Sequence, residues 1–283
     1  MYPSPITERA PQFRLGYRVA LYAAMLVWML PLIAIMMTAI RPQGDLLAGN
    51  YWGAPSHFAL FDNYREVFAT SPMWGFFLNS ITVTGTTVIL VLILATMAAV
   101  ALAKYRIPGS TLLFAMFIGG NFIPYQILMI PVRNMVLGVG LYDTVWGLIL
   151  FHTAFQTGFA TLFLRNFIIS LPNELFEAAR IEGATEFQIL KRIVLPLLRP
   201  ALAGLAVLIF TFVWNDYFWA LVLVQSDSAK PLTLGIAGLK GEWLTAWNLI
   251  SSAALFAALP PVSLFFLMQK HFVAGLTAGA VKA

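Results

Sequence analysis

No cysteine occurs anywhere in the sequence, which removes disulfides, thiolate metal sites and cysteine nucleophiles together. Charge is also scarce: Asp, Glu, Lys and Arg make up only 10% of the residues, against 60% hydrophobic. A soluble domain built from 283 residues has no interior large enough to hold that much apolar side chain. Histidine is limited to His57, His152 and His271, which are far apart and show no ligand spacing, so no metal site is expected. Three motifs are missing as well: the phosphate-cradling Gly-x-x-x-x-Gly-Lys-Ser/Thr, the Gly-x-Ser-x-Gly elbow and the His-Glu-x-x-His helix. The chain is expected to be no enzyme and to bind no cofactor of its own.

What the chain does have is long apolar runs and a mean hydropathy of +0.82, the composition of an all-α integral membrane protein. The net charge of +5 and a pI near 9.6 do not point to nucleic acid, because basic residues on such a protein record its topology. Six spans are predicted, at about residues 19–40, 74–103, 111–133, 142–164, 201–224 and 247–268, within one transmembrane domain covering 1–283. Residues 41–73 read as an extramembrane loop. The third span is interrupted by Gly119, Gly120, Asn121, Pro124, Gln126 and Pro131, and irregular backbone at membrane depth is tolerated only against protein or a wet cavity.

Between the fourth and fifth spans, residues 170–199 hold the longest polar run. Pro172 suits a first helical turn, and Glu174 and Glu177 favour the positive end of a helix dipole. Gly183 then stops that helix. Thr185 and Gln188 have the spacing of a capping box, so a second helix starts there and is expected to run to Pro196, which lacks a donor. Leu175, Phe176, Ala179 and Ile181 give the first helix an apolar side; Phe187, Leu190, Ile193 and Val194 do so for the second.

Basic residues set the orientation. Arg41, Arg65, Arg133, Lys230 and Lys240 fall on one side of the predicted spans, and the other twelve of seventeen, Arg180, Lys191, Arg192, Lys270 and Lys282 among them, on the opposite side. The richer side is the cytoplasmic one, so both termini, the tail 270–283 and the bent helix pair are expected there.

The run Glu177-Ala178-Ala179-Arg180-Ile181-Glu182-Gly183, with Ile193, Leu195 and Pro196 beyond it, resembles the EAA loop of membrane subunits of bacterial ATP-binding cassette importers. One departure is Glu182, where the sugar-importer branch commonly has Asp; the charge is kept. The likeness extends to Phe77, Asn79 and Ser80, to Pro124 and Pro131, and to Gly140-Leu141 with Trp146-Gly147-Leu148-Ile149. It also covers Trp214-Asn215-Asp216 and the tail from Gly275 to Lys282, and is similar to the carbohydrate permeases related to the smaller membrane subunit of the maltose system. The resemblance implies a type I importer fold in the bacterial cytoplasmic membrane, a second homologous permease subunit, a dimer of ATPase subunits that bind ATP and Mg, an extracytoplasmic binding protein and a sugar or related polyol as cargo. It further implies ATPase docking through Glu177, Ala178, Ala179, Arg180, Glu182, Gly183, Ala184 and Glu186, with Gly275, Thr277 and Lys282 of the tail reaching the same partner. Gly235, Gly238, Lys240 and Gly241 would approach the binding protein.

Asn121, Gln126, His152, Gln156, Trp214, Asn215 and Asp216 are the polar or amphipathic candidates for a translocation pathway. An ionisable side chain inside a span is costly and functional by default, yet helix-to-helix hydrogen bonding explains the same residues, and both readings stand for Asp216. The competing function class is a standalone secondary transporter or channel without an ATPase partner. It gives no reason for a cytoplasmic bent helix pair, and it usually needs more coupling carboxylates than Asp216 supplies.

Overall fold

The computed structural model describes residues 11–105, 107–121, 123–241 and 245–280. The chain forms two compact units, one of Met1–Thr70 with Leu239–Phe256, the other of Ser71–Gly238 with Ala257–Ala283. Among the described residues β-structure is limited to one antiparallel bridge between Lys240 and Thr245.

The first unit holds α1 (Pro11–Ala39), α2 (Gln43–Leu47), α3 (Leu60–Thr70) and the start of α13 (Trp247–Ala280). The segment expected to be loop thus contains helix. Asp62 in the first turn of α3 favours its dipole, and Asn63 and Val67 one turn apart are buried, so packing stabilises what the polar sequence conceals. Asn63 Nδ2 donates to the carbonyls of Ala39 (2.8 Å) and Arg41 (2.9 Å), and its Oδ1 accepts from Asn248 Nδ2 at 2.7 Å. Arg41, fully buried, donates to Asn50 O at 3.0 Å and to Gly53 O. Burying a charge costs less where its donors find carbonyl partners, as Nη1 and Nη2 of Arg41 do here.

The second unit is built on α4 (Met73–Lys104), α7 (Val145–Ile169) and α10 (Leu195–Trp214), which pack on one another, with α5 (Ser110–Asn121) against α7. Each long helix carries a stripe of fully buried residues at helical spacing. These are Val91, Ala95 and Ala99 on α4, Ala160, Leu164 and Ile168 on α7, and Leu198, Ala201, Leu205 and Ile209 on α10. The alanines let the backbones approach closely, which is how helices gain contact where lipid offers no hydrophobic contrast.

Among the described residues, five helices are long and apolar enough to cross a membrane: Phe13–Ala39, Met73–Lys104, Val145–Ile169, Glu186–Trp214 and Trp247–Gln269. The predicted third span is not one helix. α5 ends at Asn121, a 3-10 turn covers Tyr125–Leu128, and α6 (Met129–Gly138) follows, with Pro131 in its first turn where a missing N–H costs nothing. The fifth span also differs. α10 stops at Trp214, ten residues before the expected end at 224, and a separate short α11 (Phe218–Leu223) follows. Asp216 lies in the break, and its carboxylate accepts from the backbone N–H of Trp219 and Ala220, which favours a new helix start there.

Candidate functional site

Three places in the second unit bring chemistry-bearing residues together. The first is the polar run. α8 (Glu174–Ile181) ends in a complete left-handed cap: Gly183 has φ +81°, its N–H donates to Arg180 O at 3.0 Å, and that of Ala184 to Ala179 O at 3.0 Å. α9 (Glu186–Ile189) then opens with the expected capping box, Thr185 N–H donating to Gln188 Oε1 (2.8 Å) and Gln188 N–H to Thr185 Oγ1 (3.3 Å). The second helix does not stop at Pro196. A π turn over Leu190–Val194 widens the backbone spacing, absorbs the missing donor and carries the chain into α10 as one continuous rod.

Phe176 and Ala179 on α8, with Ile189 and Val194 beyond the bend, face the bundle and are buried. Ile181 does not join them: it is 87% exposed, and Phe187 is 69% exposed. The apolar side read from the sequence is therefore split, with one half seated on the bundle and the other turned outward. Glu177, Ala178, Arg180, Glu182 and Gly183 are exposed too, and Ala184 is half-buried. Arg180 Nε donates to Glu186 Oε1 at 2.8 Å, and the Tyr105 hydroxyl donates to Glu186 Oε2. The Glu186 carboxylate, followed by the Tyr105 hydroxyl, raises the guanidinium pKa of Arg180 above its ordinary value.

The second place is a cavity of about 590 Å3 whose wall includes Tyr125, His152, Gln156, Phe212, Asn215 and Asp216. His152 Nε2 lies 3.5 Å from Asp216 Oδ2. Tyr125 meets Phe218 edge-on at 5.2 Å, and Phe151 packs on Trp219 at 3.8 Å, so aromatic faces surround the polar pair. Four residues singled out from the sequence thus meet here. Gln126 does not: it is exposed beside Tyr125 and does not line the cavity. Nor does Trp214, which is buried, stacked on Phe210 at 5.5 Å, and donates Nε1–H to Ala257 O at 3.0 Å, making it a brace. Asn121 ends α5, and Gly275 and Thr277 lie in α13; their side chains, and all of Lys282, fall outside the described part of the structure.

The third place is the segment after α11. Asp143, at φ +60°, accepts from the N–H of Gln225 (2.7 Å) and Ser226 (2.8 Å) and from Ser226 Oγ (2.6 Å). Asn79 Nδ2 donates to the carbonyls of Ser228 and Lys230, and Ser80 Oγ accepts from Leu232 N–H at 2.8 Å. The hydrogen bond from Ser226 Oγ, followed by those from the two amides, holds the Asp143 carboxyl below its ordinary range. Gly235 in α12 (Leu232–Ala237) is buried, and a Cβ there would come within 2.1 Å of Phe76, so it serves packing and offers no exposed contact. Gly238 is exposed, and so, in the first unit, are Lys240 and Gly241.

Sequence reasoning missed Tyr125 and Phe212 in the cavity and gave Lys104, Tyr105 and Asp143 no role. Aromatics abound in any span, and the partners of the last three lie far along the chain, so no local pattern offered a signal.

The chain belongs to the family described as binding-protein-dependent transport system inner membrane component, whose model matches residues 92–278. It is a multi-pass inner-membrane protein, the permease component of an ATP-binding cassette importer. It is 34% identical to the osmoprotective compounds uptake permease protein GgtD of Synechocystis sp., over 98% of this chain and 96% of the relative. The melibiose/raffinose/stachyose import permease protein MelC of Bacillus subtilis is also 34% identical, covering 89% of this chain and 91% of the relative. Among solved structures, a chain of a bacterial ABC transporter involved in the import of the acidic polysaccharide alginate superposes with a TM-score of 0.82 and 25% identity, over 95% of this chain and all of that one.

Proposed function

We propose that this subunit passes a sugar or related polyol across the membrane, using ATP and Mg bound by a separate ATPase dimer that docks on α8 and α9. The observation that carries this reading is the outward face of that bent pair. Ile181 and Phe187 stand exposed on a segment whose backbone is locked by caps on both sides of Gly183. A rigid element with uncovered apolar residues suits a protein partner better than water. Six crossings are proposed, the third being the broken α5–α6 segment, with both termini and the bent pair in the cytoplasm as the basic residues favour.

The cavity around His152 and Asp216 is proposed as part of the pathway. Tyr125 and Phe212 supply exposed faces on which sugar rings stack, while Gln156 and Asn215 supply amides for hydroxyls. The named cargoes of MelC and of the arabinooligosaccharide permease AraQ of Bacillus subtilis support that class. Gly238, Lys240 and Gly241 remain as exposed positions for an extracytoplasmic binding protein, and a second homologous permease would complete the pathway.

Isolation in mild detergent tests this. The chain is expected to bring down an ATPase and a second permease, with hydrolysis rising on addition of sugar-loaded binding protein. Glu177→Ala and Gly183→Val are expected to insert normally and to abolish uptake. Normal uptake by both would remove the docking role from this segment.

A further inference from the structure

The turn after α4 grips the bent pair on both sides of its glycine. Lys104 Nζ donates to Leu171 O at 3.1 Å and to Asn173 Oδ1 at 2.8 Å, and lies 4.3 Å from the centre of the Phe176 ring. These contacts fix the entry and first turn of α8. The next residue, Tyr105, reaches past the bend: its hydroxyl donates to Glu186, the first residue of α9, which also holds Arg180 from the last turn of α8. Two consecutive residues of one helix end therefore hold both arms of the bend.

The mechanical consequence follows from the connections. α9 is already continuous with α10 through the π turn, so a displacement of α9 reaches α10 along a rigid rod. α8 has no such rod. One end leads through Ser170–Asn173 back to α7, and the other meets Gly183, a residue with no side chain to stiffen it. Lys104 and Tyr105 supply the missing connection, to a helix whose buried stripe is packed against both α7 and α10.

We propose that Lys104 and Tyr105 are positioning residues forming a second load path, by which movement of the bent pair is delivered to α4 as well as to α10. The proposal rests on α8 and α9 being the docking element. Without this clamp the ATPase still binds and still cycles, but α8 swings on Gly183 and part of each stroke is lost.

The test uses the assembled complex in proteoliposomes, with Tyr105→Phe, which removes one hydroxyl, and Lys104→Met, which keeps the apolar stem. The wild-type chain has no cysteine, so Met97→Cys on α4 and Leu175→Cys on α8 are spin-labelled in this subunit alone before it is assembled with its partners. In the parent, the distance between labels is expected to stay constant between nucleotide-free and ATP-trapped states. In Tyr105→Phe/Lys104→Met it is expected to change with nucleotide, while ATP hydrolysis is retained and substrate carried per ATP falls about fivefold, a modest factor in keeping with the joint loss of the half-exposed hydrogen bonds from Lys104 and Tyr105. Tyr105→Phe alone should show a smaller loss in the same direction, and Lys104→Arg should restore most of the coupling of Lys104→Met. Wild-type transport per ATP in the double variant, or a nucleotide-dependent distance in the parent, would overturn the clamp. Failure of the parent chain to bring down any ATPase would instead remove the docking reading on which it rests.

Discussion

Asp216 Oδ2 lies 3.5 Å from His152 Nε2 while the same carboxylate accepts from the backbone N–H of Trp219 (3.3 Å) and Ala220 (3.1 Å). One side chain thus begins a helix and forms part of a cavity wall. The two roles separate by substitution. Asp216→Asn keeps an oxygen able to accept at the helix start, whereas Asp216→Ala removes it at about 1 kcal/mol. Asp216→Asn is expected to melt within a few degrees of the parent in detergent and still to slow uptake several-fold, since the charge facing His152 is gone. Uptake that falls only in parallel with melting temperature would confine Asp216 to bracing.

Gly183 is required by its backbone and not by crowding. At φ +81° an added Cβ meets no atom within 4 Å, so the cost of a side chain comes from conformation alone. That cost is roughly 1–2 kcal/mol for most residues and less for Asn, which tolerates the left-handed region. Uptake is expected to rank Gly above Asn above Ala above Val at this position, with equal amounts of each variant in the membrane. A valine variant as active as the asparagine variant would mean that the left-handed cap is dispensable.

Gly235 shows the opposite case. Its φ is unremarkable, but a Cβ would sit 2.1 Å from Cδ2 of the buried Phe76 ring. Gly235→Ala is expected to destabilise by about 1–3 kcal/mol through overpacking. Phe76→Leu in the same chain should recover most of that loss, as measured by the detergent melting temperature. An additive pair would show that the two residues do not share the space.

The Asp143 clasp carries a pH dependence whose sign is fixed. Its carboxyl is held below the ordinary value of 3.8, so the stabilisation it gives is present in full above that value and is lost as pH falls through the lower folded one. Amide exchange of Gln225 and Ser226, corrected for the intrinsic effect of pH, is expected to stay slow at neutral and mildly acidic pH and to quicken only below 3.8. Asp143→Ala should show fast exchange throughout, because both amides donate to the one oxygen Oδ1 that it removes, whereas Asp143→Asn keeps that acceptor and should lose only the acid-side quickening.

Local signals were read correctly at the bend, where both partners lie within one turn. Gly183, Thr185 and Gln188 specify a stop and a start from residues three or four apart, and the structure has both. Pro196 was misjudged as a terminator because a π turn admits proline at little loss, and whether the backbone widens depends on Val194 and Leu198 being drawn into the core. Helix in 60–70 was likewise hidden, since its burial involves Asn63, a residue whose polar side chain is satisfied by carbonyls more than twenty positions back.

The amino-acid sequence alone determined that this chain lives in lipid, that no Gly-x-x-x-x-Gly-Lys-Ser/Thr run occurs in it, and that a glycine-bent helix pair interrupts its spans. Those properties follow from composition and from hydrogen bonds between near neighbours. Only the tertiary structure decided which apolar side chains of that pair face outward, that His152 and Asp216 share a cavity, and that Tyr105 and Asp143 hold segments 81 to 83 residues away. The physical reason is that burial and long-range hydrogen bonding are set by how helices pack, and packing depends on shape summed over many residues that no local pattern records.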